Sequence, residues 1–261
     1  MRLGKENYVK TMLKDGKRMT AAWAQAASNI TAEILGEAGY DILMIDHEHA
    51  PGTILTLISQ IQAIKGHDAV PFVRAPWNDF VQIKRILDAG VYGLLVPYVN
   101  SREEAAEAVR AVRYPTAGIR GVAGSPRGQH YGNNSMEYIR AANEEIFLMT
   151  AAETGTAVEN IEEIVAAEGI DGIFIGPMDL ASSMGRLGDP SHPEVQEAIG
   201  KIEKAVFASG KVLATVAGTW EDAKKKYEKG YQILLLFSDT VSLGKAAREK
   251  VELFKKDYPD R

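Results

Sequence analysis

The segment Val70-Pro-Phe-Val-Arg74, followed by Asp79-Phe-Val-Gln-Ile-Lys-Arg-Ile-Leu-Asp-Ala-Gly90 and then Gly93-Leu-Leu-Val96, decides the fold. A short apolar run gives way to a stretch of helical period and then to a second apolar run. Asp79 stands where an N-cap belongs, and Gly90 where a helix stops. Working outward, the unit recurs. Apolar, β-rich runs occupy residues 19–23, 42–45, 70–74, 93–96, 146–152, 172–175, 211–216 and 232–237. Ser101-Arg-Glu-Glu104 and Thr219-Trp-Glu-Asp222 resemble capping boxes, the second with Asp in the closing position. Strands buried on both faces read as continuous apolar runs, as these mostly do. Eight strand–helix units in 261 residues predict a (β/α)8 TIM barrel of the α/β class, one domain over 1–261. An open doubly wound sheet competes, but it usually carries a glycine-rich turn after its first strand. Here Trp23-Ala-Gln-Ala-Ala-Ser follows instead.

Composition narrows the function. With 46% hydrophobic and 25% charged residues the chain reads as a globular protein able to bury a core. A net charge of −5 disfavours nucleic acid as a partner, because phosphate binding needs clustered Lys and Arg. Cysteine is absent, which removes disulfides, thiolate metal sites and a Cys nucleophile. No apolar run reaches the roughly 18 residues of a membrane span. The first residues, Met1-Arg-Leu-Gly-Lys-Glu-Asn-Tyr, are too polar for a signal peptide. The expected setting is the cytoplasm.

Chemistry in such barrels gathers at the carboxyl ends of the strands. There the sequence places Asp46-His47-Glu48-His49, Arg74, Glu153-Thr154, Gly176-Pro177-Met178-Asp179 and Ser238-Asp239. Two carboxylates on neighbouring strands, Glu153 and Asp179, repel unless one is protonated or a cation lies between them. Oxygen-only donors suit a hard ion such as Mg²⁺ or Mn²⁺; the structural alternative is that each caps the helix after it. His47 and His49 lack the third ligand at helical spacing that a zinc site requires. A general base among them is the better reading, with a hydrogen-bonded structural role as the alternative. Arg74, ending a buried strand, needs an anionic partner: a ligand oxygen, or a salt bridge to Asp46 or Glu48. No lysine ends a strand, which disfavours Schiff-base chemistry and leaves a metal as the route to an activated carbonyl. The glycine-bounded stretch Ser125-Pro-Arg-Gly-Gln-His-Tyr-Gly132 presents Arg127 as a cation bordering the pocket, ready for the far end of a substrate, unless it is merely solvated.

Asp46-His-Glu-His-Ala-Pro51, Val73-Arg-Ala-Pro-Trp-Asn-Asp79, Gln82-Ile-Lys-Arg-Ile-Leu-Asp-Ala-Gly90, Arg113-Tyr-Pro-Thr-Ala-Gly-Ile-Arg-Gly121 and Phe174-Ile-Gly-Pro-Met-Asp-Leu180 together resemble the HpcH/HpaI aldolases, metal-dependent pyruvate aldolases of the phosphoenolpyruvate/pyruvate barrel superfamily. The likeness runs from about Trp23 to the last helix. It implies a lyase that cleaves 4-hydroxy-2-oxo acids to pyruvate and an aldehyde through a metal-stabilised enolate. Glu153 and Asp179 would bind a divalent cation (Mg²⁺, Mn²⁺ or Co²⁺). His49 would be the base and Asp88 its partner, and Arg74 would contact the keto oxygen. The N–H groups of Met178 and Asp179 would hold the pyruvate carboxylate, with Asp46 and Glu48 supporting from behind. A homo-oligomer, commonly a hexamer, is implied, with the final helix on a neighbouring subunit; apolar Leu243, Ala246, Ala247, Val251 and Phe254 would face it, unless they pack on their own barrel. The chain departs from the pattern at Thr150-Ala-Ala-Glu153: Ala151 stands where many members carry glutamine. Two rivals stay open, an enolate-forming lyase acting on an acyl-CoA ester and a barrel that binds ligand without catalysis.

Overall fold

The computed structural model describes residues 7–133 and 135–260. Most of the polar amino-terminal stretch, residues 1–6, lies outside them, as do Asn134 and Arg261. Among the described residues, eight parallel strands close into a barrel in sequence order: β1 Met19–Ala24, β2 Ile42–Asp46, β3 Val70–Arg74, β4 Gly93–Val96, β5 Phe147–Ala152, β6 Gly172–Ile175, β7 Val212–Val216 and β8 Ile233–Ser238. Closure is made by β1 against β8, with a register shift between Ala21 and Ala22. The open sheet is thereby excluded. No helix among the described residues is long and apolar enough to cross a membrane.

Side chains alternate between two layers, as the strand period of two requires. Ala21, Met44, Phe72, Leu95, Met149 and Phe174 fill the interior. Ala22, Leu43, Val73, Leu94, Leu148 and Ile173 pack outward under the helices. A Cβ on Gly93 would stand 2.4 Å from the Phe72 ring, so a bare backbone there makes room for the aromatic filler. Helix α1 (Tyr8–Lys14) plugs the amino-terminal end. Its Val9 and Leu13 join the inner layer, and Asn7 Nδ2 and Lys10 Nζ donate to the carbonyls of Tyr92 and Ile146, just ahead of β4 and β5.

The outer helices begin as their caps dictate. They comprise α2 (Asn29–Glu37), α3 (Ile54–Ala63), α4 (Phe80–Asp88), α5 (Arg102–Val112), α6 (Ser135–Glu145), α7 (Gly155–Glu159), α8 (Ile161–Val165), α9 (Pro177–Ser183), α10 (Pro193–Ser209), α11 (Trp220–Lys229) and α12 (Asp239–Asp257). Asp79 accepts from Gln82 N–H at 2.8 Å and starts α4. Ser101 and Thr219 cap α5 and α11, but the reciprocal halves of their expected boxes reach one residue further back. Glu104 accepts from Asn100 N–H at 2.6 Å, and Asp222 from Gly218 N–H at 3.3 Å. The reciprocal box forms at Thr53 and Thr56, which no acidic signature announces.

Each helix carries the chain back toward the strand starts. The connection from α5 to α6, with short turns at Arg127–Gly132, therefore lies at the amino-terminal rim. This overturns the expectation that it borders a pocket at the strand ends. Arg127 is buried, and its Nη1 donates to the Ala89 carbonyl at 2.8 Å, tying down the last turn of α4.

Candidate active site

Arg74 is the centre of the carboxyl rim. Asp46, paired with it across β2 and β3, grips it bidentately: Nε donates to Oδ1 at 3.0 Å and Nη2 to Oδ2 at 2.6 Å. Glu48 adds an ion pair to Nε at 3.2 Å. The guanidinium lies 4.4 Å over the Trp23 ring, which itself meets Phe174 edge-on. A guanidinium has five N–H donors, so this grip fixes the fork while leaving Nη1 uncommitted to Asp46 or Glu48. Asp46 also accepts from Gln25 Nε2 at 2.9 Å and from the N–H groups of Glu48 and His49. Burial pushes the Asp46 carboxyl up, but the Arg74 fork, Gln25 and the Glu48 N–H outweigh it and hold the group below its ordinary value.

Gln25 is a residue the sequence reading missed. Its side-chain carbonyl accepts from Ser238 Oγ at 2.9 Å, and its backbone N–H donates to Asp239 at 2.8 Å. The Asp46–Arg74 pair is thus strapped to the start of α12. No motif signals this, because the partners come from β1, β2 and β8 and meet only when the barrel closes.

Glu153 stands on the same rim, one residue past β5 and 3% exposed. Tyr98 N–H donates to its Oε1 at 2.8 Å. Its Oε2 lies 2.6 Å from where a Cβ on Gly176 would sit, so a side chain there would displace the carboxylate. Burial, with the charges of Glu48 and Asp179 adding to it, raises the Glu153 carboxyl to about 7, against the lowering by Tyr98 N–H and Arg74. The capping alternative fails for Glu153, because Thr154 caps α7. Asp179 lies not at a strand end but in the first turn of α9, where no side chain caps the helix. Pro177 has no N–H and Leu180 N–H is the first to bond back, to Gly176. The N–H groups of Met178 and Asp179 are therefore the ones the helix leaves over.

The histidines separate. His49 is exposed, its Nε2 3.8 Å from Glu48 Oε2. His47 is half-buried; its Nε2 has no hydrogen-bond partner among the described residues, and burial lowers its pKa. Asp88 is not near His49 within the chain. It ends α4 at the opposite rim, a full strand length away (about 16 Å for five residues), and accepts from Arg120 Nη2 at 2.9 Å and Gln129 Nε2 at 3.3 Å.

Among the described residues, no group of three or more His, Cys, Asp or Glu is gathered to hold a metal ion. The donor set still fits one. Mg²⁺-like ions keep several waters and bind through one or two carboxylates plus substrate. A buried carboxylate with two acidic neighbours, and no Lys or Arg within ion-pair distance among the described residues, is the setting a cation relieves.

The carboxyl rim of this parallel barrel joins a fixed arginine to a buried carboxylate. Comparison with known proteins gives the family. The profile of the HpcH/HpaI aldolase/citrate lyase family matches residues 19–246, and the chain belongs to that family. It is 42% identical over 242 residues to a 4-hydroxy-2-oxo-heptane-1,7-dioate aldolase of Escherichia coli, covering 93% of this chain and 92% of that one. A 5-keto-4-deoxy-D-glucarate aldolase of Klebsiella pneumoniae is 41% identical over 250 residues, covering 96% and 97%. The crystal structure of a HpcH/HpaI aldolase/citrate lyase family protein from Burkholderia cenocepacia superposes with a TM-score of 0.91 at 34% identity, covering 95% of this chain and 99% of that one.

Proposed function

We propose that the chain is a divalent-metal-dependent aldolase that reversibly cleaves 4-hydroxy-2-oxo acids to pyruvate and an aldehyde. The observation that carries the reading is the buried Glu153 carboxylate on the same rim as an Arg74 fork fixed by Asp46. A cation held by Glu153 and Asp179 supplies positive charge to the keto and carboxylate oxygens when bound. Arg74 adds preorganised donors where the enolate oxygen develops charge. The leftover N–H groups of Met178 and Asp179 hold the carboxylate. In the cleavage direction His49 removes the 4-hydroxyl proton. The C3–C4 electron pair then passes into the enolate, the aldehyde leaves, and C3 takes up a proton.

The single-barrel domain is supported by closure of all eight strands within the described residues. Asp88 meets His49 only if a second copy supplies it, so the dyad reading requires an oligomer. The α12 stripe supports assembly: Leu243 and Val251 are exposed, not packed on their own barrel. Light scattering at micromolar protein is expected to give a multimer; a monomer under those conditions refutes the Asp88–His49 pair.

The function is tested by exchange of the pyruvate methyl protons in D₂O, followed by NMR. Exchange is expected with Mg²⁺ or Mn²⁺ and is expected to be lost with chelator. A ligand-binding barrel without catalysis gives no exchange. Exchange without cleavage of any 4-hydroxy-2-oxo acid, but with turnover of an acyl-CoA ester, moves the chain to the other lyase class.

A further inference from the structure

Tyr98 takes no part in the reading above except through its backbone, yet three observations place its side chain at the same mouth. Its N–H holds Glu153 from the left-handed region, at φ +51, a conformation that is strained for a non-glycine residue. Such strain persists where surrounding structure enforces it, and here the Glu153 bond and the Asn100 side chain, which donates to the Tyr98 carbonyl at 2.9 Å, do so. The ring stacks on Trp77 with centroids 5.7 Å apart and planes 29° apart. Trp77 is 55% exposed in the β3–α4 connection, so the two rings form a ledge beside Arg74 rather than a piece of core.

The phenol is a neutral donor in acidic surroundings. Among the described residues, its contacts are the two backbone bonds and the ring stack, so no protein acceptor occupies the hydroxyl. Meanwhile β5 offers only the methyl of Ala151, facing the barrel interior. The donor at this mouth comes from the end of β4 instead.

Resting on the aldolase reading, we propose that Tyr98, backed by Trp77, is a specificity-determining residue for the aldehyde half: its hydroxyl donates to a neutral oxygen next to the aldehyde carbon, which selects hydroxyaldehydes over unsubstituted aldehydes. A neutral hydrogen bond lost without leaving a charge behind corresponds to about three- to ten-fold in rate or affinity.

The test compares kcat/KM for pyruvate addition to glycolaldehyde and to acetaldehyde, two acceptors that differ by one hydroxyl. Tyr98→Phe keeps the ring, the stack and the backbone bond to Glu153, and it is expected to lower the glycolaldehyde-to-acetaldehyde ratio about three- to ten-fold. Trp77→Leu, which leaves the hydroxyl but removes its support, is expected to lower the ratio by a smaller factor. Wild-type pyruvate proton exchange is measured alongside. With exchange present, an unchanged ratio in Tyr98→Phe overturns the assignment of Tyr98 alone. With exchange absent from the wild type, the aldolase reading falls and this inference with it.

Discussion

Asp179→Ala is expected to abolish divalent-metal binding and to lower aldol cleavage by about three orders of magnitude or more, with the barrel still folded. The size follows from what the cation contributes. Charge stabilisation by a Lewis-acidic ion amounts to several kcal/mol, and each 1.36 kcal/mol is tenfold in rate. The fold should survive because Asp179 is only part-buried, while Leu180 and Ala181 anchor α9 beneath it. Titration calorimetry with Mn²⁺ and thermal melting measure the two halves of the expectation. Undiminished cleavage, or full activity in chelator with metal absent by elemental analysis, overturns the assignment.

The same site predicts a pH dependence whose sign is fixed by Glu153. Its carboxyl is raised from the ordinary 4.5 to about 7 in the folded metal-free protein. The fold therefore favours the protonated form. That contribution to stability is fully present below about 4.5 and is lost as pH rises through about 7. A cation competes with this proton, so Mn²⁺ affinity is expected to rise between those values and to level off above pH 7. Glu153→Gln should remove the slope along with the site.

Much of this architecture was legible because of how barrel strands are buried. With the inner and outer layers both apolar, each strand appears as a continuous run; β3, β4 and β6 begin and end where those runs do, β1, β2, β5 and β7 differ by one residue at one end, and β8 is shifted by one at both. Asp46, Arg74, Glu153 and Asp179 were found by asking which polar groups terminate such runs. Arg127 was misplaced because its glycines were weighed and its position in the cycle was not. A segment that follows a helix and precedes a strand returns to the amino-terminal rim, and Arg127, between α5 and α6, is held at that rim by its bond to the Ala89 carbonyl at the end of α4. The same parity separates Asp88 from His49. Gln25 and Tyr98 were not legible, since the contacts that define them join strands far apart in sequence. Tyr98 in particular acts first through a backbone N–H, which carries no sequence signature.

Arg74→Lys is the sharpest test of how the rim works, because it preserves the charge and removes the geometry. We expect kcat/KM to fall about 10²–10³-fold, the loss typical of removing an oxyanion donor, while the protein stays folded. An ammonium can still pair with Asp46, so no buried charge is left alone. It cannot keep two parallel bonds to Asp46, lie flat on Trp23 and present further N–H groups at a fixed angle. If fork orientation is what matters, Asp46→Asn should produce a comparable loss by freeing the guanidinium, and the double variant should be little worse than either single one, since both remove the same interaction. Additive losses would mean that Asp46 acts on the substrate independently of Arg74. His49→Ala is expected to cost about 10²–10⁴-fold as a lost general base and to combine with Arg74→Lys nearly additively, because His49 contacts the Asp46 carboxylate only through its backbone N–H. The inverse result, with His47→Ala the damaging change and His49→Ala silent, would transfer the base to the half-buried imidazole whose Nε2 has no protein partner among the described residues.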